Sequence, residues 1–189
     1  MSDELKLDAR EGLPPEMRVL VDEYPREMWE GHANFNGLTS FWLQMHGKFR
    51  SVQTELLRLT QDYLDGKEDA MRYGAATSRF TGFFLEGLHG HHGIEDQHYF
   101  PIMAQMDDRV AKAFDLLDAD HHTLTHHMNA LADATNAVLR PLQNGEDVRD
   151  PSGKLHGVQS AFQTFLDRHL TDEEDVVVPL ILKHGDNFH

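Results

Sequence analysis

The feature that most constrains this chain is a doubled spacing. His91-x-x-x-Glu95 is followed six residues on by Pro101, and His169-x-x-x-Glu173 is followed six residues on by Pro179. Acidic residues stand directly after both glutamates, at Asp96 and Glu174. Four residues make about one helical turn, so each histidine lies one turn from its glutamate on the same face. That face is otherwise apolar. His91 and Glu95 share it with Phe84, Leu88 and Tyr99, and His169 and Glu173 share theirs with Phe162, Leu166 and Val177. An ionisable residue on an apolar stripe is costly to bury unless it finds a partner.

Two further helical patterns each add one inward histidine. His46 falls among Trp42, Phe49, Gln53 and Leu57, and His121 falls among Leu117, Leu124 and Met128. Four imidazoles and two carboxylates on one core call for a compensating positive charge, which metal cations supply. The chain has 14 histidines and no cysteine, so any such site is built from nitrogen and oxygen alone. That donor set suits iron, manganese or zinc, and it excludes thiolate sites and iron–sulfur clusters. Two glutamates on facing helices can each bridge two ions. Six ligands do not saturate two octahedral ions, so water, oxide or substrate completes the sphere. A metal site at His46, His91, Glu95, His121, His169 and Glu173 is therefore expected.

The pattern along the chain predicts an all-α fold. Helices are expected over 38–64, 70–100, 107–139 and 151–183, with stops at Asp65-Gly66, Pro101, Pro141 with Asn144-Gly145, and near Pro179. Short connections make neighbouring helices antiparallel, giving an up-down-up-down four-helix bundle over residues 37–185. Residues 1–36 read as an N-terminal extension, with a short helix between Pro15 and Val21 and a loop from Gly31 to Gly37. The run Val176-Val177-Val178 keeps helical spacing and is read as helix.

Composition narrows the function classes. A net charge of −15 with no basic patch argues against nucleic acid and anionic membranes as partners. No apolar run approaches a membrane span. The polar, acidic stretch from Met1 to Arg10 is neither a secretory signal nor a transit peptide, so a cytoplasmic location is the expectation. Among the other histidines, His92 and His127 lie near the inward faces as ligands or supporting donors. His122 and His126 point away from the core stripe, and His89 and His98 point sideways. His32, His156, His184 and His189 are expected to play no part in the site.

The pattern resembles the hemerythrin-like family, also called HHE cation-binding domains. His46, His91-x-x-x-Glu95 ahead of Tyr99-Phe100-Pro101, Asp120-His121 and His169-x-x-x-Glu173-Glu174 carry the resemblance, which covers residues 38–183. It implies a four-helix bundle holding two iron ions joined by an oxo or hydroxo bridge. His46, His91, His121 and His169 would be terminal ligands and Glu95 and Glu173 bridging carboxylates, with zinc or manganese as alternative metals. The chain departs from the oxygen-carrying hemerythrins in having Thr125 where they place a second histidine of the third helix. It also has Glu173 where their spacing puts an aspartate one residue later. Fewer histidines imply a more open coordination sphere, which favours chemistry over simple O2 storage. The absence of cysteine argues against the iron-centre repair branch. The implied function is binding or reduction of O2, hydrogen peroxide or nitric oxide, including peroxidase- or catalase-like turnover. The alternative is an iron- or oxygen-sensing module without turnover, whose protein partner the sequence does not name. A ferritin-like site through Glu86-x-x-His89 and Glu95-x-x-His98 is disfavoured, because Glu86 and His89 face away from the stripe.

Overall fold

A computed structural model of the chain describes residues 5–185; Met1–Glu4 and residues 186–189, including His189, lie outside the described residues. The described residues are helical and contain no strand. After a 3-10 turn at Pro15–Met17 come α1 (Val19–Glu23) and a second 3-10 turn at Arg26–Met28. The long elements are α2 (Gly37–Leu64), α3 (Ala70–Ile94), α5 (Ala111–Gln143) and α6 (Arg149–His184). Between α3 and α5 lie a π-helical turn, Glu95–Tyr99, and the short α4 (Phe100–Met103).

Local chemistry explains the helix ends. Asn36 caps α2, its Oδ1 accepting from the Leu38 and Thr39 amides at 3.0 and 3.3 Å, while Thr39 Oγ1 accepts from the Asn36 amide at 2.9 Å. Asp69 does the same for α3, accepting from the Met71 and Arg72 amides. α2 and α5 both stop at a glycine in the left-handed region, Gly66 at φ +73° and Gly145 at φ +74°. Each closes the paired bonds of a Schellman cap: Gly66 to Tyr63 and Lys67 to Asp62, then Gly145 to Leu142 and Glu146 to Pro141. Pro141 thus lies inside α5 rather than ending it, and the stop belongs to Asn144-Gly145 alone.

Pro101 acts differently from the expectation of a simple helix end. It has no amide hydrogen to offer the carbonyl four residues back. The backbone widens instead, and the Phe100 amide donates to Glu95 O, five residues earlier. Pro179, at the matching place in the repeat, leaves α6 helical through to His184. The two halves of the sequence repeat therefore have different backbones after their glutamates.

The chain divides into two compact units, one of Met1–Gly47, His91–Thr123 and Asp167–His189, the other of Lys48–Gly90 and Leu124–Leu166. In the first, Leu13, Met17 and Leu20 pack with Trp42, Phe100, Met103, Phe114, Leu117, Val176, Val177 and Leu180. Val21 and Trp29 form a second cluster with Val178 and Leu182. Residues ahead of α2 thus contribute directly to this core. Val176, Val177 and Val178 are all fully buried within α6.

The second unit is an apolar bundle of four helical stretches. Phe84 lies between Phe49 and Phe162, with ring centroids 6.2 and 5.6 Å apart and edge-on geometry. Tyr63 and Tyr73 stack at 4.4 Å.

Two predictions follow from these cores. Phe162→Ala, at a fully buried position, is expected to cost about 3–5 kcal/mol in urea denaturation; a loss under about 1 kcal/mol would mean that this core closes over the gap. Asp107 accepts from Arg109 Nη2 at 2.7 Å and Lys183 Nζ at 2.8 Å. Its carboxyl is held below the ordinary carboxylate range, chiefly by Arg109 against the effect of burial and then by Lys183. The unfolded chain takes up this proton near pH ~4, and the folded chain does so only at lower pH. The contribution is therefore complete above that value and fades as pH falls towards the folded pKa. Urea midpoints of Asp107→Asn are expected to lie below the parent's at pH 7 and to converge with them by pH ~3; parallel profiles would rule the contribution out.

Candidate metal centre

The structure brings all six predicted side chains together within the first unit. His46 comes from α2, His91 from the end of α3, Glu95 from the first position of the π turn, His121 from α5, and His169 and Glu173 from α6. His46, Glu95, His121, His169 and Glu173 are buried, and the His91 side chain is 12% exposed.

The two carboxylates each span two histidines. Glu95 Oε1 lies 3.0 Å from His91 Nε2, and its Oε2 lies 3.7 Å from His121 Nε2. Glu173 Oε1 lies 3.3 Å from His46 Nε2, and its Oε2 lies 3.3 Å from His169 Nε2. The imidazoles pair as well, with Nε2–Nε2 separations of 3.1 Å for His46 with His91 and 3.1 Å for His121 with His169. The donors thus form two groups, His46 with His91 and His121 with His169, and both glutamates reach both groups.

The outer ring nitrogens are held by carboxylates. His46 Nδ1 lies 3.0 Å from Glu174 Oε1, His121 Nδ1 2.6 Å from Asp96 Oδ1, and His169 Nδ1 3.3 Å from Asp120 Oδ2. A carboxylate on Nδ1 fixes the hydrogen there and turns the Nε2 lone pair inward. Two such lone pairs facing each other at 3.1 Å, in His121 and His169, require a proton or a cation between them. The acidic residues that follow each glutamate in the repeat are thus tied to histidines, Asp96 to His121 and Glu174 to His46.

Without a cation, protons balance the charge. Burial pushes Glu95 well above the ordinary carboxylate range, and Glu173 adds to the effect. Glu173 moves the other way, because His46 and His169 overcome its burial and hold it well below that range. His169 is pushed up to about 9; burial opposes the charge, and Asp120 and Glu173 outweigh it. His46 is raised in the same manner by Glu173 and Glu174. Burial drives His91 down to about 4 and His92 well below its usual value.

The donor chemistry fits metal cations. Both oxygens of Glu95, Glu173 Oε2 and His92 Nε2 are buried without a hydrogen-bond partner. His46, His91, Glu95 and Glu173 offer ligand atoms all within 4.8 Å of one another, and so do His92, His121 and His169. His92 therefore belongs beside the six. It is buried and stacks on His121 with centroids 4.0 Å apart and planes 12° apart.

Trp42 was legible in the sequence only as a core residue, yet its Nε1–H donates to Glu173 Oε1 at 2.5 Å. Its place four residues before His46, on the same face, was the available signal. Tyr99 packs edge-on against Trp42 with centroids 5.1 Å apart. The other histidines stay outside this group. Glu86, His89, His98, His122 and His126 are exposed, which leaves the ferritin-like spacing without a buried site. His127 stacks on Phe165 in the second unit, His32 Nδ1 accepts from the Asn34 amide, and His184 lies 3.6 Å from Asp107.

Trp42→Phe keeps the ring and removes the donor. It is expected to cost about 1.5–3 kcal/mol in urea denaturation, the value of a hydrogen bond to a charged group. Unchanged stability would show that Glu173 finds another donor.

The family profile described as Hemerythrin HHE cation binding domain matches residues 37–181. No curated protein and no solved structure matches the chain. Among the described residues, no helix is long and apolar enough to cross a membrane.

Proposed function

The chain belongs to the hemerythrin HHE cation-binding domain family, and from that premise we propose that it holds two iron ions and binds or reduces O2, hydrogen peroxide or nitric oxide. The observation that carries this reading is the span of the two carboxylates. Glu95 and Glu173 each set one oxygen beside the His46/His91 group and the other beside the His121/His169 group. Two cations sharing two carboxylates need that arrangement, whereas one cation would leave half the donors unused. The up-down-up-down order of the long helices is part of the proposal and rests on the short links after Leu64 and Gln143.

In this reading His46 and His91 hold one ion, and His121, His169 and His92 lie towards the other. Glu95 and Glu173 bridge. Bound iron would supply reversible one-electron changes at each ion and open positions for a small ligand. The protein's own contribution is orientation and exclusion of water. Glu174, Asp96 and Asp120 keep Nδ1 protonated on three of the histidines, so their Nε2 atoms remain donors to metal. Trp42 donates to Glu173 and, with Phe100 stacked 5.4 Å from His121, closes apolar surface around the donors. Asymmetry between the groups, two histidines against three, gives the first ion the more open sphere.

Metal analysis tests the reading. Protein loaded anaerobically with ferrous iron is expected to retain about two irons per chain, and Glu173→Gln to retain one or none with far-UV circular dichroism unchanged. One zinc, or no metal after loading, would remove the di-iron reading. Iron-loaded protein is then expected to consume peroxide faster than free iron. Two bound irons with no turnover and a change in stability on loading would favour the sensing alternative over catalysis.

A further inference from the structure

Two arginines from the segment ahead of the family match reach the carboxylates behind two of the site histidines. Arg10 donates from Nη1 to Asp120 Oδ1 at 2.8 Å, and its Nη2 bonds Asp120 Oδ2. Its Nε donates to Asp172 Oδ2 at 3.0 Å, and Nη1 also donates to Leu5 O at 3.0 Å. Asp120 is the residue that holds His169 Nδ1. Arg26 donates from Nη1 to Glu174 Oε2 at 2.9 Å and from Nε to Asp175 Oδ1 at 2.8 Å. Glu174 holds His46 Nδ1 through its other oxygen. The chain therefore builds the same relay twice, arginine to carboxylate to imidazole, once for each donor group.

We infer that Arg10 and Arg26 are positioning residues for metal binding, acting through Asp120 on His169 and through Glu174 on His46. This rests on the proposal that the site binds two ions. Both relays lie within the first unit, and their arginines come from residues before position 37, where the family match starts.

The physical argument has two parts. The first is electrostatic. Asp120 and Asp172 are 1% and 2% exposed and share one guanidinium. Without it, two buried carboxylates would stand close together, and one would take up a proton or turn away. Either change releases His169 Nδ1, and the ring loses its fixed tautomer and orientation. With the guanidinium in place, Asp120 accepts the Nδ1 hydrogen as an anion, and the lone pair of Nε2 points at the other donors. The second part is geometric. The planar fork holds both oxygens of Asp120 and, at Arg26, one oxygen each of Glu174 and Asp175. Trp29 backs Arg26 from 4.8 Å, and Arg26 Nη2 also bonds Thr171 O at 3.1 Å.

Cobalt(II) is the probe, because its visible absorption reports ligand geometry and its affinity can be read by competition with a chelator. The parent, Arg10→Met, Arg26→Met and Arg26→Lys are compared as full chains, each checked by far-UV circular dichroism. Both methionine variants are expected to bind cobalt about 10–100-fold more weakly than the parent, as loss of an outer-shell partner does. Their cobalt spectra should shift as well. Arg26→Lys is expected to recover part of the affinity, since an ammonium supplies the charge without the fork. The Arg26 side chain is 43% exposed, so its variants decide the matter if Arg10→Met does not fold. A folded Arg26→Met with the parent's affinity and spectrum overturns the inference. A parent that takes up no cobalt overturns the metal reading itself, and with it this one.

Discussion

Everything in the first unit answers to one constraint, the burial of Glu95 and Glu173 beside each other. Two carboxylates away from water repel, and each loses hydration that ordinary hydrogen bonds replace only in part. Here few such bonds are made. Trp42 serves one oxygen of Glu173, and the remaining three oxygens have none. The surroundings are imidazoles, which supply positive charge as protonated rings or lone pairs as neutral ones. A core built this way stays balanced with protons and accepts cations in exchange. Affinity is thereby tied to proton release.

Around those donors lies a second ring of charge, and its sign alternates. Glutamates sit inside, then imidazoles, then Glu174, Asp96 and Asp120, and beyond two of these the guanidiniums of Arg26 and Arg10. Each layer offsets the one within. The net charge of −15 is therefore a poor guide to the potential at the site, because much of the acid that matters is paired inside. The first unit is the chemical one, and the second is held by aromatic and aliphatic packing around Phe84 and Phe162.

The inner layers were legible in the sequence and the outer ones were not. His91 and Glu95, or His169 and Glu173, are one turn apart, so periodicity alone places each pair on a face. His46 and His121 follow from the same rule. The relation between Trp42 and Glu173 spans 131 residues and that between Arg10 and Asp120 spans 110, and no local pattern encodes such pairs. Arg10 and Arg26 stand in a polar segment that gives no sign of burying a guanidinium. His92 was ambiguous because a residue beside a stripe turns inward or outward with a small rotation. The helix ends were read well at Gly66 and Gly145, where backbone conformation demands glycine, and less well at Pro141, which the helix tolerates.

The π turn at Glu95–Tyr99 has a consequence for how such a site can change over evolutionary time. A π turn holds one residue more than the α turn it replaces. Deleting a single residue there would restore α geometry and swing everything after it by about 100° around the axis, carrying Phe100 and Met103 off the core. A substitution alters one side chain, whereas this length change reassigns a whole helical face. The register between Glu95 and the residues beyond it is therefore a matter of counting, and insertions or deletions are the events to which this part of the centre is most exposed.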